Sequence, residues 1–168
     1  NNQQQEEEER KKKEEEISKQ KKGIVKIRNI SVHDLPKMDV LGKCDPFVVM
    51  KLGNDEKQTS VAKKSYNYDY VNEQFEFQFD PMSLKENRNI EIQVWDYDKI
   101  GFDEMIGSAN IEILTSFVQE QQYEFFLIPK KGKKGKIQPI SNSNDQSQEQ
   151  DQGIGKVAFN LIYIPEMK

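Results

Sequence analysis

Between Phe75 and Phe79 the chain reads Phe, Glu, Phe, Gln, Phe, and a period of two over aromatic residues commits a segment to an extended strand with one apolar face. Successive side chains of a strand point to opposite sides, so Phe75, Phe77 and Phe79 share one face and Glu76 and Gln78 the other. Asn89–Trp95 repeats the pattern with Ile90, Ile92 and Val94 inward, and from Gly23 onward Val25, Ile27 and Asn29 alternate with Ile24, Lys26 and Arg28. The Phe75 strand is taken to start at Glu73, and further strands are predicted at Pro46–Leu52, Lys57–Ala62, Met105–Ile113, Gln122–Ile128 and Gly155–Ile164. Ser83–Asn87 is expected to form one helical turn. Eight short strands separated by Gly, Pro, Asn and Asp clusters predict an all-β antiparallel sandwich, because two half-apolar sheets must bury their faces against each other.

Two segments fall outside this pattern. Residues 1–22 hold seven acids (Glu6–Glu9, Glu14–Glu16) and seven bases (Arg10–Lys13, Lys19, Lys21, Lys22), with Ile17 as the single large hydrophobe. A helix of that composition has no face to pack, so a charged linker or solvated helix is expected, with a coiled-coil end as the alternative. Lys130–Gly153 is Lys/Gly-rich, then Ser/Asn/Gln/Asp-rich, and is expected to be a flexible insertion between the last two strands. The expected domain is residues 23–165.

Charge and cysteine usage narrow the function classes. The net charge of −4 argues against a nucleic-acid binder, which needs a basic surplus. Cys44 has no second cysteine to pair with, and no apolar run approaches the ~20 residues that span a bilayer. The N-terminal residues lack the apolar core of a signal peptide, so the expected localisation is cytoplasmic. With one Cys (Cys44) and one His (His33), a structural zinc site is excluded. His33 is expected at a strand end and Trp95 in packing. No nucleophile–base set or phosphate loop is present, so the chain is not expected to be an enzyme.

Two loops concentrate the acids. Leu35–Pro46 carries Asp39 and Asp45, and Trp95–Gly107 carries Asp96, Asp98, Asp103 and Glu104. Carboxylates at this density repel one another unless a cation neutralises them, and hard oxygen donors on loops suit Ca2+, which takes about 6–8 oxygens. An EF-hand fits poorly, since Gly107 stands where its bidentate Glu belongs and the flanks are strands. Solvated turn acids remain the alternative.

The run LPKMDVLGKCDPFV followed by VWDYDKIGFDEMIG resembles the paired calcium-binding loops of C2 domains, such as those of synaptotagmins and protein kinases C, and NEQFEFQF is similar to the family's central strand. The resemblance implies a C2-like Greek-key sandwich. It implies Ca2+ ligands at Asp39, Asp45, Asp96 and Asp98, with Glu104 at a position usually held by Asp and Asp103 as its alternative. It adds the backbone carbonyls of Met38 and Tyr97, and two or more ions. The segment Asn67–Asn72 lacks the family's usual Pro and Trp, a departure expected to alter a loop edge and not the ion site. GKVAFNLIYIP resembles a family strand that in other members comes first, which implies the circularly permuted (type II) order; the alternative is that it opens a further domain.

The function implied is a Ca2+-dependent phospholipid-binding, membrane-targeting module, a peripheral membrane protein of signalling or vesicle trafficking. Its partner is an anionic phospholipid membrane. Val40, Leu41, Ile100 and Phe102 are the expected inserting tips; Lys57, Lys63 and Lys64 are either a solvated edge or a basic lipid surface, and Lys130–Lys136 is a disordered loop or an additional headgroup or protein contact. The competing class is a Ca2+-independent protein–protein interaction or structural C2 domain.

Overall fold

In the computed structural model, which describes residues 1–19, 21–38, 43–114, 118–129 and 154–166, the alternation becomes burial: Phe75, Phe77 and Phe79 are all buried, and Ile90, Ile92 and Val94 fully so. The elements run α1 (Asn2–Lys19), β1 (Gly23–His33), β2 (Pro46–Leu52), β3 (Asp55–Gln58), β4 (Tyr68–Asp69), β5 (Phe75–Phe79), α2 (Pro81–Leu84), β6 (Asn89–Asp96), β7 (Glu104–Glu112), β8 (Gln121–Phe126), β9 (Ile128–Pro129) and β10 (Lys156–Pro165). They form two antiparallel sheets. One has β1 at its centre, with β10 and then β8 on one side and β4 and β5 sharing the other; the second has the order β3-β2-β6-β7-β9. Their inner faces meet over a core that includes Val25, Ile27, Phe77, Met50, Ile92 and Phe159.

Two strands were not expected from the sequence. Both β4 and β9 are only two residues long, too short to carry a readable period. The third strand is shorter than Lys57–Ala62: it ends at Gln58, where Thr59 Oγ1 accepts from the Val48 amide at 2.9 Å. The helical turn lies at Pro81–Leu84, earlier than expected, because Asp80 caps it. The Asp80 side chain accepts from Met82 N–H at 3.1 Å and Pro81 occupies the first turn, where its missing N–H costs nothing.

β1 changes inward parity partway. Its register with β10 shifts between Arg28 and Ser31, and Asn29 sits at φ 54°. The extra residue of this bulge moves the buried set from Val25 and Ile27 to Ile30 and Val32. Asn29, at the bulge itself, is exposed. A second bulge lies on β7, where Ile106 is the extra residue between Gly107, paired with Val94, and Met105, paired with Trp95. Gly107 is required there: a Cβ would stand 2.8 Å from the Ile128 carbonyl oxygen, so only glycine lets β9 approach.

β10 lies between β1 and β8 within one sheet, with Gly23 opposite Pro165 and His33 opposite Lys156. The C-terminal strand thus completes this sandwich. The connection leaving β9 and re-entering β10 therefore starts and ends toward the pole where β1 ends. Lys130–Gly153 itself lies outside the described residues.

Candidate functional site

At one pole of the sandwich β2 begins and β6 ends, with Pro46 directly opposite Asp96. This pairing brings the stems of the two acidic loops together. The Asp45 amide donates to Asp96 Oδ1 at 2.8 Å, and the Tyr97 amide donates back to the Asp45 carbonyl at 2.9 Å. Asp45 Oδ1 in turn accepts from the Lys64 amide at 2.7 Å. Three chain segments, around residues 45, 64 and 96, are thereby tied together.

The loop beyond Asp96 is closed by its own acids. The Asp98 amide donates to Asp103 Oδ1 at 2.9 Å, and Asp98 Oδ1 accepts from the Ile100 amide at 3.0 Å. Gly101, at φ 110°, takes the left-handed conformation that the turn needs. The tip is apolar and open to solvent: Ile100 is 87% and Phe102 94% exposed. Glu104 returns the chain to the sheet opposite Asp96, so Asp96 and Glu104 are neighbours across the ladder.

Several packed groups hold this pole. Phe47 and Trp95, opposite each other on β2 and β6, stack with ring centroids 6.5 Å apart, and Trp95 Nε1 donates to Gln93. Trp95 therefore packs beside the acidic loop. Tyr70 is 1% exposed, and its hydroxyl donates to the Pro46 carbonyl at 2.5 Å. Burial drives the Tyr70 phenol far above its ordinary value of 10.0. Sequence reasoning did not single out Tyr70; its neighbourhood lacks the usual family residues, and only the paired β4 and β1 bring it under β2.

The Asn67–Asn72 segment does more than alter an edge. Asn67 Oδ1 accepts from the Asp34 amide at 2.9 Å, and the Tyr66 carbonyl accepts from Leu35 N–H at 3.0 Å. These bonds hold the start of the first acidic loop. His33 ends β1 half-buried, with Nε2 2.8 Å from Ser31 Oγ.

Among the expected site residues, Asp45, Asp96, Asp98, Asp103 and Glu104 gather at this pole with Ile100 and Phe102. Asp39, Val40 and Leu41 lie outside the described residues; Met38 is described and packs against the core. The basic residues divide. Lys63 and Lys64 are exposed just beyond Ala62, whose amide bonds to Pro46, and so stand at the loop pole. Lys57 is paired across from Met50, four strand positions down β2 or roughly 13 Å away, and forms an ion pair with Asp55 at 3.7 Å.

The donor set is chemically suited to Ca2+: its side-chain donors are hard carboxylate oxygens, and the neighbouring Cys44 is buried with its thiol directed to the Ser65 carbonyl. Each carboxylate has two oxygens with about four lone-pair sites, so an amide bond to Oδ1 does not prevent Oδ2 from ligating. Among the described residues no three such side chains are grouped tightly enough to cage a metal ion as they stand. Nor is any described helix long and apolar enough to cross a membrane.

The family model described as "C2 domain" matches residues 23–128. The chain is 31% identical to Synaptotagmin-1 of Arabidopsis thaliana over 147 residues, covering 85% of this chain and 25% of that protein. It is 33% identical to human Multiple C2 and transmembrane domain-containing protein 1 over 108 residues, 63% of this chain and 10% of that one. Among solved structures, a single C2 domain of plant Extended Synaptotagmin 1 superposes with a TM-score of 0.63 at 25% identity, covering 87% of this chain and 97% of the domain. The calcium-bound pair of C2 domains from Extended-Synaptotagmin 2, at 21% identity, shares the fold with a TM-score of 0.60, covering 88% of this chain and 47% of that one.

Proposed function

Because this chain belongs to the C2 domain family, related to the C2 domains of synaptotagmins and extended synaptotagmins, we propose that it is a non-catalytic, Ca2+-dependent module that docks on anionic phospholipid membranes from the cytoplasmic side. The observation that carries this reading is the Asp45–Asp96 tie. It fixes the stems of two acidic loops against each other at one pole, beneath an exposed apolar tip.

In this reading Asp45, Asp96 and Asp98 hold Ca2+ together with Asp39 and Glu104, and Met38 and Tyr97 contribute carbonyl oxygens. Bound Ca2+, as two ions, supplies about four positive charges against roughly five carboxylates and offers coordination sites to lipid phosphate. Without it, the acidic loops repel an anionic bilayer. With the repulsion cancelled, Ile100 and Phe102 enter the interface, along with Val40 and Leu41, at a gain of about 0.8 kcal/mol per buried CH2. Lys63 and Lys64 add on the order of 1 kcal/mol each near anionic lipid; Lys57 sits lower, on the side of the sandwich.

A second reading, a Ca2+-independent interaction or structural domain, draws on the same hydrogen bonds. The acids already serve as acceptors for backbone amides, which is a structural role complete without metal. Calorimetric Ca2+ titration of the chain and of Asp96→Asn/Asp98→Asn, with vesicle co-sedimentation in Ca2+ and in chelator, tests the choice. Saturable binding lost in the double variant, with sedimentation only in Ca2+, is the expected result. Identical titrations for both proteins would transfer the function to the second reading.

A further inference from the structure

The helix α1 takes no part in the loop pole. It joins β1 at Gly23, and Gly23 pairs with Phe79 of β5 and Pro165 of β10, at the pole opposite Asp45 and Asp96. α2, which follows Phe79, is its packing neighbour there. The described side chains of α1, Asn2–Lys13 and Glu15, are all exposed. Over these described residues the helix buries no apolar stripe, and tertiary packing of a stripe is what ordinarily stabilises a helix in a protein.

Its charge order supplies another source of stability. Four acids, Glu6–Glu9, are followed by four bases, Arg10–Lys13, and then by three acids, Glu14–Glu16. Blocks of four place opposite charges four residues apart along the whole run: Glu6 before Arg10, Glu7 before Lys11, Glu8 before Lys12, Glu9 before Lys13, and Arg10 to Lys12 before Glu14 to Glu16. Residues four apart are neighbours on a helix surface, and Glu preceding Lys is the favourable orientation. Lys11 Nζ lies 3.5 Å from Glu7 Oε1. A helix that is polar all round is stable when it is laced by many such pairs.

The junction with the sandwich is tied as well. The Tyr163 hydroxyl donates to the Lys21 carbonyl, the Glu166 amide donates to the Lys22 carbonyl at 2.7 Å, and Lys22 Nζ stands 3.8 Å from Asp80 Oδ2. Tyr163 is 2% exposed, so the first of these anchors belongs to the core.

We propose that α1 is a projecting, monomeric helical arm that touches the sandwich at α2, about 27 Å long at 1.5 Å per residue, held straight by its own charge lattice. It acts as a semi-rigid spacer fixed to the pole opposite the acidic loops. The arm keeps anything joined to its far end away from that pole and leaves the acidic loops facing outward.

The test uses the full chain. Far-ultraviolet circular dichroism should report the helix of α1, since α2 adds only four residues. Replacing Glu6–Glu9 by Lys (E6K/E7K/E8K/E9K) sets like charges four apart, and should remove at least half of the helical signal while near-ultraviolet bands from Trp95 persist. Exchanging every acid and base from Glu6 to Glu16 restores opposite pairs and should recover most of the signal. Spin labels at Gln3→Cys and Ser18→Cys should give a narrow distance near ~22 Å that broadens in the four-charge variant. Undiminished helicity in that variant, or a broad distance distribution in the parent, would overturn the proposal. So would helicity that rises with concentration alongside dimers in sedimentation equilibrium, which would make α1 a coiled-coil strand.

Discussion

The backbone amide of Asp45 donates to the side chain of Asp96 at 2.8 Å, across 51 residues of sequence. A residue read from the sequence as a metal ligand is therefore also a clamp between loop stems. The two roles make different demands on the side chain: the clamp needs an acceptor oxygen, whereas a cation needs negative charge.

Substitution at Asp96 separates them. Asp96→Asn keeps an acceptor oxygen in place and removes the charge; the expected outcome is at least a tenfold loss of Ca2+ affinity, about 1.4 kcal/mol, with stability nearly unchanged. Asp96→Ala also orphans the half-buried Asp45 amide, which costs about 1–3 kcal/mol. Titration calorimetry and urea denaturation of the two variants check the pair.

Phe102 lies almost wholly in solvent, so its removal leaves folding untouched. Phe102→Ser should change unfolding free energy by no more than about 0.5 kcal/mol. It should nonetheless weaken Ca2+-dependent vesicle binding roughly tenfold or more, since burying a Phe side chain yields about 1.5–3 kcal/mol. Co-sedimentation with anionic vesicles reads the effect.

Tyr70→Phe removes one of two donors to the Pro46 carbonyl, which keeps the bond from the Ala62 amide, and should destabilise the fold by about 0.5–1.5 kcal/mol at neutral pH. The same change alters the alkaline limb. Burial holds the phenol of Tyr70 protonated in the fold, so the stability this contributes is present below the ordinary value of 10.0 and is lost as pH rises from there toward the folded value. The phenylalanine variant should show a shallower decline above about pH 10 in denaturant melts followed at stepped pH.

Glu120 contributes to the acid limb. Its Oε2 accepts from Asn160 Nδ2 at 2.8 Å and from Arg28 Nε at 3.0 Å. The Asn160 bond, followed by those from Arg28, pulls the carboxyl below its ordinary 4.5. A depressed acid contributes stability above that ordinary value and loses it as pH falls through the folded one. Glu120→Gln should flatten the stability loss below about pH 4.5, measured by urea midpoints from about pH 7 to about pH 3.

What the chain order alone determined here is local. A period of two around Phe77 and Ile92 selects strands and their inner faces because alternation is a property of one strand by itself, and the crowding of Asp45, Asp96, Asp98 and Glu104 into two loops is visible without folding. The tertiary structure decided whatever depends on register between distant strands. It set Pro46 opposite Asp96, which turned two separate acidic stretches into one pole. It placed a bulge at Asn29 that moved the buried set to Ile30 and Val32, and it left Lys57 well down the side of the sheet from Lys63 and Lys64. Pairing across 51 residues is fixed by how two sheets share a core, and no window along the sequence contains that information.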